Sequence, residues 1–372
     1  MIGFDIEVTT RRERNGALIL PYEEGGIPRD KLSILEHPEG AQVNNVTGVS
    51  ASGTFIHTDG IFLELNPQPG MCRAFSFLHL VYGLKLAKLY IERNIGEPIY
   101  FGCEASVEIP KRFYEIAGEE SLQFGCSPEY NIYRGAGEKG RVPIVVGPDY
   151  PYRSTGWHIH FQHNPNDLQI AGNLIPLLDA TIGLLGVALA PHPEWEKKRR
   201  LLYGGAGAYR PQPHGIEYRV LSSFPLLHPT LQSLFHRIAR MIYGFCTSFN
   251  YETHLTSLRL FVKNYGNDII EVINTSDRIG ARKLIQQILP IYHRTLDHGI
   301  NFDLFSLLVT KGLRGIQVYR NLPKDLLTSW TYCDPMARNH DSFGWEDGLP
   351  KLLGQSRRQI PINKVLSKEV GT

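Results

Sequence analysis

Four short segments of the chain each place two polar residues two positions apart. They are Asp5 and Glu7 in Gly-Phe-Asp-Ile-Glu-Val, Glu64 and Asn66 in Leu-Glu-Leu-Asn, His158 and His160 in Gly-Trp-His-Ile-His-Phe, and Glu217 and Arg219 in Gly-Ile-Glu-Tyr-Arg-Val. The interleaved positions are Phe, Ile, Leu, Trp, Tyr or Val, so an extended strand puts each polar pair on one face and the apolar residues on the other. A single strand of this kind is ordinary. Four of them with Asp, Glu, His and Arg on the wet side predict one concave sheet lined with metal ligands and a phosphate-binding cation.

Taken alone, each motif has a plainer reading. An isolated Asp-x-Glu is often a solvent-facing strand, although the depletion of Asp from strands argues for a job at that position. A His-x-His pair can be a satisfied polar stripe. Asp59 and Glu64 are five apart, an odd spacing, and share a side only if Asp59 and Gly60 make a turn or bulge before the strand. Asp59 is therefore the weaker ligand candidate. Carboxylates with one imidazole suit Mg²⁺ or Mn²⁺ better than a cysteine-ligated zinc site. The longest motif runs from Arg199 and Arg200 through Tyr203, Gly204, Gly205, Gly207 and Arg210 to Glu217 and Arg219. Its glycines allow close backbone approach to a ligand, and Arg200, Arg210 and Arg219 offer forked donors to phosphate oxygens. It matches neither the P-loop nor the GxGxxG fingerprint.

The elements that must position these residues follow from periodicity and punctuation. Strands are expected near 2–8, 16–21, 46–66, 156–162 and 215–221. Helices are expected over 72–93, 168–189 and 193–202, with a loop-rich stretch at 121–154. After Pro229 the patterns become helical, around 230–248, 277–297 and 302–313. This divides the chain into a catalytic core over 1–228 and a helical part over 229–372 that packs on it, with a loose tail from about 357.

With 372 residues, 42% of them hydrophobic and 20% charged, the chain can bury a large core. Its 39 basic and 37 acidic residues leave a net charge of +2, too little for bulk nucleic-acid or membrane-surface binding. The five cysteines, Cys72, Cys103, Cys126, Cys246 and Cys333, lack any CxxC spacing and fit reduced thiols. The apolar stretch 170–190 is interrupted by Pro176 and Asp179, which favours a buried helix over a membrane span. With no basic and apolar leader at the start, the expectation is a cytoplasmic protein.

The ordered set Asp-x-Glu, Asp-Gly-(x)3-Glu-x-Asn-Pro, Gly-x-His-x-His, Arg-(x)2-Tyr-Gly-x-Ala-Gly-x-Tyr-Arg-Pro and Gly-x-Glu-Tyr-Arg resembles the phage-type carboxylate-amine ligases. These amidoligases are similar to glutamine synthetase and glutamate-cysteine ligase. The resemblance covers roughly residues 1–225. Phe-Gly-Cys-Ser-Pro-Glu-Tyr-Asn at 124–131 also looks like a family segment, while Trp157 stands where a glycine is usual.

The resemblance implies an α+β fold: a curved antiparallel sheet of the glutamine synthetase catalytic type, with helices on its outer face and ATP and two or more divalent ions in the concavity. Carried over by position, Glu7 and Glu64 would hold one metal and Asp5, His158 and Glu217 another, with Asp59 an additional candidate. Arg200, Arg210 and Arg219 would face the transferring phosphoryl group. Tyr203, Gly204, Gly205 and Gly207, with Arg210 and Arg219, would contact ATP. Arg153, His160 and Asn66 are the substrate-facing candidates. No general base is identified, and Glu129 is put forward on its loop position alone. The expected substrates are a small-molecule or peptide carboxylate and amine. A metal-dependent hydrolase and a non-enzymatic structural or assembly protein are the alternatives.

Overall fold

The computed structural model describes residues 1–27, 55–67, 73–118, 130–134, 151–164, 167–227, 229–247, 252–295 and 325–327, with isolated positions 29, 32, 33, 69, 70 and 122. The helix expected at 302–313, the tail from 357, residues 46–54 and Glu129 lie outside the described residues.

In chain order the elements are β1 (Ile2–Arg12), β2 (Leu32–Ser33), β3 (Phe55–Asp59), β4 (Phe62–Asn66), α1 (Arg73–Ile95), β5 (Ile99–Gly102), β6 (Ser106–Glu108) and the short α2 (Phe113–Ile116). Then come β7 (Tyr130–Asn131), β8 (Tyr152–Ser154), β9 (Trp157–Gln162), α3 (Leu168–Leu178), a π-helical turn (Asp179–Gly183), α4 (Leu184–Leu189) and α5 (Pro193–Leu202). The last are β10 (Ala208–Gln212), β11 (Gly215–Tyr218), α6 (Pro229–Thr247), α7 (Glu252–Thr275) and α8 (Arg278–Thr295). The main sheet is antiparallel, in the order β2-β3-β4-β1-β9-β11-β10-β7, with β5 pairing to β1 off that path. An antiparallel sheet covered by helices makes the fold α+β, as expected.

The two faces of the sheet separate by side-chain alternation. Ile2, Phe4, Ile6 and Val8 of β1, Leu63 and Leu65 of β4, Trp157, Ile159 and Phe161 of β9, and Ile216 and Tyr218 of β11 enter one hydrophobic core. That core continues through α1, α3, α4, α6, α7 and α8. Trp157 packs between Phe4 and Phe235, with ring centroids 5.7 and 5.8 Å away, so its side chain belongs to the dry face and not to the histidine face. By length and composition Gln169–Leu189 could cross a membrane, but 78% of its apolar window is buried inside the fold. It is the core helix that covers the sheet.

Several elements depart from the periodicity reading. Residues 16–21 form only an isolated bridge, Arg11 to Leu18. Strand β10 lies inside the expected glycine loop. Its Pro211 pairs with Ile216, while β7 reaches only Ala208 and Tyr209, so the missing amide falls where no second strand lies. Helix α7 was hidden by Asn264, Gly266 and Asn267, whose weak helix propensity is overridden by the packing of Leu255, Leu258, Phe261, Ile269 and Ile273.

Arg199 locks the glycine loop to the sheet. It is fully buried, and its guanidinium donates to the carbonyls of Thr155, Gly204, Arg219, Val220 and Leu221. Arg199→Met keeps much of the stem but strands these acceptors, so equilibrium denaturation should show a loss of roughly 3 kcal/mol. A loss below about 0.5 kcal/mol would mean that the carbonyls are satisfied without the guanidinium.

Candidate active site

Register places the polar residues side by side on the wet face. Glu7 faces Glu64 across β1 and β4, Asp5 faces His158 and Gly3 faces His160 across β1 and β9, and Glu217 faces both His160 and Arg210. Directly opposed residues on one face lie within side-chain reach. The odd spacing of Asp59 and Glu64 is resolved by a two-residue hairpin. Asp59 pairs with Phe62 and His57 with Glu64, and Gly60 takes a φ of 58° at the first turn position. Asp59, His57 and Glu64 therefore share the wet face. His57 is a site residue that the motif reading missed; its signal was its place two residues before Asp59.

Two clusters of ligand-competent atoms result. The ligand atoms of Glu7, Asp59 and Glu64 lie within 4.8 Å of one another, and so do those of Asp5, His158 and Glu217. The clusters differ in charge balance. Burial, and then the neighbouring Asp59 and Glu64 carboxylates, push the Glu7 carboxyl well above the usual carboxylate range. Burial and then Glu64 raise Asp59, opposed by Arg153 and His57. Hard oxygen donors crowded in this way suit Mg²⁺ or Mn²⁺.

The second cluster is already neutralised by the protein. Glu217 receives Arg219 at 2.9 Å, Arg210 at 2.7 Å and Gln212 at 2.6 Å. Burial works to raise its carboxyl, but Arg219, His158 and Arg210 outweigh it and hold the group at about 2. His158 Nδ1 is 3.2 Å from Glu217 and its Nε2 meets the Tyr203 hydroxyl; burial and then Arg219 keep this imidazole well below its usual range. Asp5 accepts from Asn66 at 2.6 Å and lies 2.8 Å from His160. Asn66 also donates to Glu64 at 2.7 Å, joining the two clusters. His160 in turn is 2.9 Å from His214 at the β10–β11 turn, a second neighbour the motif reading passed over.

The arginines divide by environment. The Arg219 side chain is 0% exposed and clamps Glu217 and, at 2.6 Å, the Tyr203 hydroxyl. Arg210 is 23% exposed, the most accessible of the three expected phosphate contacts. Arg200 is turned elsewhere: it forms a buried pair with Glu196 at 2.6 Å and donates to Ser276 at 2.9 Å. Its side chain faces the helical layer because it stands one residue after Arg199 on α5, about 100° round the helix. Arg153 is buried on β8, in the small β6–β8 sheet.

The glycine loop also differs from its expected use. Ala206 N donates to Asn274, Gly207 N to Asp179 and Ala208 N to the Gly205 carbonyl, so these amides are engaged within the protein. Gly207 has a φ of 77°, and a Cβ there would sit 2.5 Å from the Tyr133 ring. A Cβ on Gly204 would meet the Arg199 guanidinium at 1.9 Å. Close packing explains these two glycines without a ligand. Gly205 sits beside Asn274.

An antiparallel sheet with a dry helical face and a wet face of buried carboxylates, imidazoles and arginines defines a metal-competent α+β site. The sequence profile of the family described as "Phage phiEco32-like COOH.NH2 ligase-type 2" matches residues 141–262, a span that includes the His-x-His strand, the glycine loop and Glu-x-Arg. The resemblance carried by the motifs is to this same family. No curated protein matches the chain.

If the carboxylate trio holds a divalent ion, Mg²⁺ or Mn²⁺ should raise the melting temperature of the wild-type protein, because a ligand bound only by the folded state stabilises it. Glu7→Gln removes one of two directly opposed carboxylates, so it should leave the metal-free melting temperature unchanged or higher while abolishing most of the ion-induced rise. A full ion response in Glu7→Gln, read by differential scanning fluorimetry, would remove Glu7 from the ligand set.

Proposed function

We propose that the chain is an ATP- and divalent-metal-dependent ligase that joins a carboxylate to an amine, on a sheet of the glutamine synthetase catalytic type. The observation that carries this reading is the pairing, on one sheet face, of an under-neutralised carboxylate trio with the Glu217, Arg219 and Arg210 network. The match to a carboxylate-amine ligase family supports it. Glu7, Asp59 and Glu64 would hold one ion, and Asp5, His158 and Glu217 a second. When bound, such ions neutralise phosphate charge and hold the phosphoryl group for transfer.

The chain's own residues supply the rest. Arg210, at the accessible end of the network, is the donor suited to phosphate oxygens. Arg219 keeps Glu217 ionised and steadies the Tyr203 hydroxyl against His158. Arg153, next to Asp59 in charge terms, is the candidate counter-charge for the substrate carboxylate. In the reaction, the γ-phosphoryl group passes from ATP to a carboxylate oxygen and ADP leaves. The amine nitrogen then attacks the acyl carbon, phosphate departs, and the amine gives up a proton as the amide forms.

An acyl phosphate is an electrophile that a small strong nucleophile intercepts even when the natural amine is not supplied. Incubation with ATP, Mg²⁺ or Mn²⁺, hydroxylamine and pools of amino acids or peptides should give a hydroxamate with stoichiometric ADP and phosphate. Release of AMP and pyrophosphate, or metal-dependent cleavage of an amide without ATP, would overturn the assignment in favour of adenylation or hydrolysis.

A further inference from the structure

Asp179 stands out on the dry side of the sheet. It is a fully buried carboxylate in the apolar helix that covers the sheet, and it begins the π-helical turn Asp179–Gly183, a feature found disproportionately at functional sites. Its Oδ1 accepts from the Tyr218 hydroxyl at 2.8 Å. Its Oδ2 accepts from the Tyr133 hydroxyl at 2.9 Å and from Gly207 N at 2.7 Å. The neighbouring sequence makes room for this: a Cβ on Gly183 would lie 2.8 Å from the Tyr218 hydroxyl. Three donors converging on one buried carboxylate fix its position, because losing any of them leaves a desolvated polar group.

What these donors belong to gives the arrangement its meaning. Tyr218 is the residue between Glu217 and Arg219, so its side chain points to the dry face while theirs point to the wet face. Gly207 closes the loop that begins at Tyr203 and leads into Arg210. Tyr133 packs on Gly207 from the side of β7. One carboxylate thus holds, from behind the sheet, both backbone segments that carry Tyr203, Arg210, Glu217 and Arg219.

We propose that Asp179 is a positioning residue for the Tyr203, Arg210, Glu217 and Arg219 network, acting through Gly207 N and the Tyr218 hydroxyl. The inference rests on the ligase reading for its catalytic consequence, whereas the clamp itself is a matter of structure. It needs no contact between Asp179 and any substrate.

The test pairs a structural with a kinetic readout on the full chain. Asp179→Asn replaces one acceptor oxygen with a donor. Tyr218→Phe removes a single hydroxyl and is the milder variant should the first fold poorly. Leu174→Ala, cut from the same helix in the dry core, shows what lost stability does alone. Hydrogen exchange of peptides spanning 203–219 should quicken by about tenfold or more in Asp179→Asn and Tyr218→Phe relative to the peptide spanning 2–8, whereas in Leu174→Ala both peptides should quicken together. In ATP- and metal-dependent turnover with hydroxylamine, kcat should fall by about tenfold or more while KM for ATP changes by less than about threefold. Unchanged exchange in both clamp variants would overturn the proposal, as would faster exchange with wild-type kcat. Faster exchange in a chain whose wild type neither turns over ATP nor responds to Mg²⁺ or Mn²⁺ would keep the clamp and overturn the ligase reading instead.

Discussion

Glu7 and Glu64 are directly opposed on adjacent strands, and Asp59 joins them through the β3–β4 hairpin. Like charges in that position oppose strand pairing, and burial makes the repulsion harder to screen. The sheet nevertheless keeps this register because the other face of the same strands is fully committed to the core: Ile6 and Leu65 pair one step away and both are buried. A slip by one residue would expose every one of those apolar side chains. Hydrophobic burial therefore holds three carboxyl groups together that would otherwise separate, and the raised Glu7 and Asp59 carboxyls are the electrostatic result.

The same logic runs across the sheet. Phe4 and Trp157 pack with Phe235 of α6 on the dry side, and the strands of Phe4 and Trp157 present Asp5, His158 and His160 on the wet side. Core and site are two faces of one alternation. The link is closest at β11, where Tyr218 anchors to Asp179 between two residues that form the centre of the charged network. Displacing the helical cover would shift the charges without touching them.

Much of this was legible in the sequence because strand alternation is a strict, local rule. The faces of Asp5, Glu7, Glu64, His158, Glu217 and Arg219 follow from counting by two. The place of Asp59 did not, since it depended on a hairpin whose length Asp-Gly alone does not fix. Arg199 and Arg200 were indistinguishable as neighbours in a basic run. Only the helix that carries them turns one toward five carbonyls and the other toward Glu196. The glycines of the loop were read as ligand contacts because a glycine signals close approach without saying to what. Here Gly204 and Gly207 approach Arg199 and Tyr133. Asp179 drew notice only as a break in an apolar run, since its partners at 133, 207 and 218 are distant in sequence.

Charge balance finally separates two clusters that ligand geometry alone treats alike. Asp5 and Glu217 bring two negative charges, and Arg210 and Arg219 bring two positive ones onto Glu217 itself. An ion entering there must compete with guanidinium groups that already satisfy the carboxylate. Glu7, Asp59 and Glu64 crowd three carboxyl groups, and the upward shift of Glu7 and Asp59 shows that Arg153, Arg199, Arg219 and His57 do not offset burial and mutual repulsion. A divalent cation gains most where carboxylates are crowded and least neutralised, so under the proposed function the trio is the stronger candidate for an ion. The Glu217 network is then the better place for an anionic group. For the proposed ligase, a phosphate oxygen taken up by Arg210 would leave Glu217 Oε2 with Gln212 and Oε1 still held by Arg219, which eases that competition without removing it.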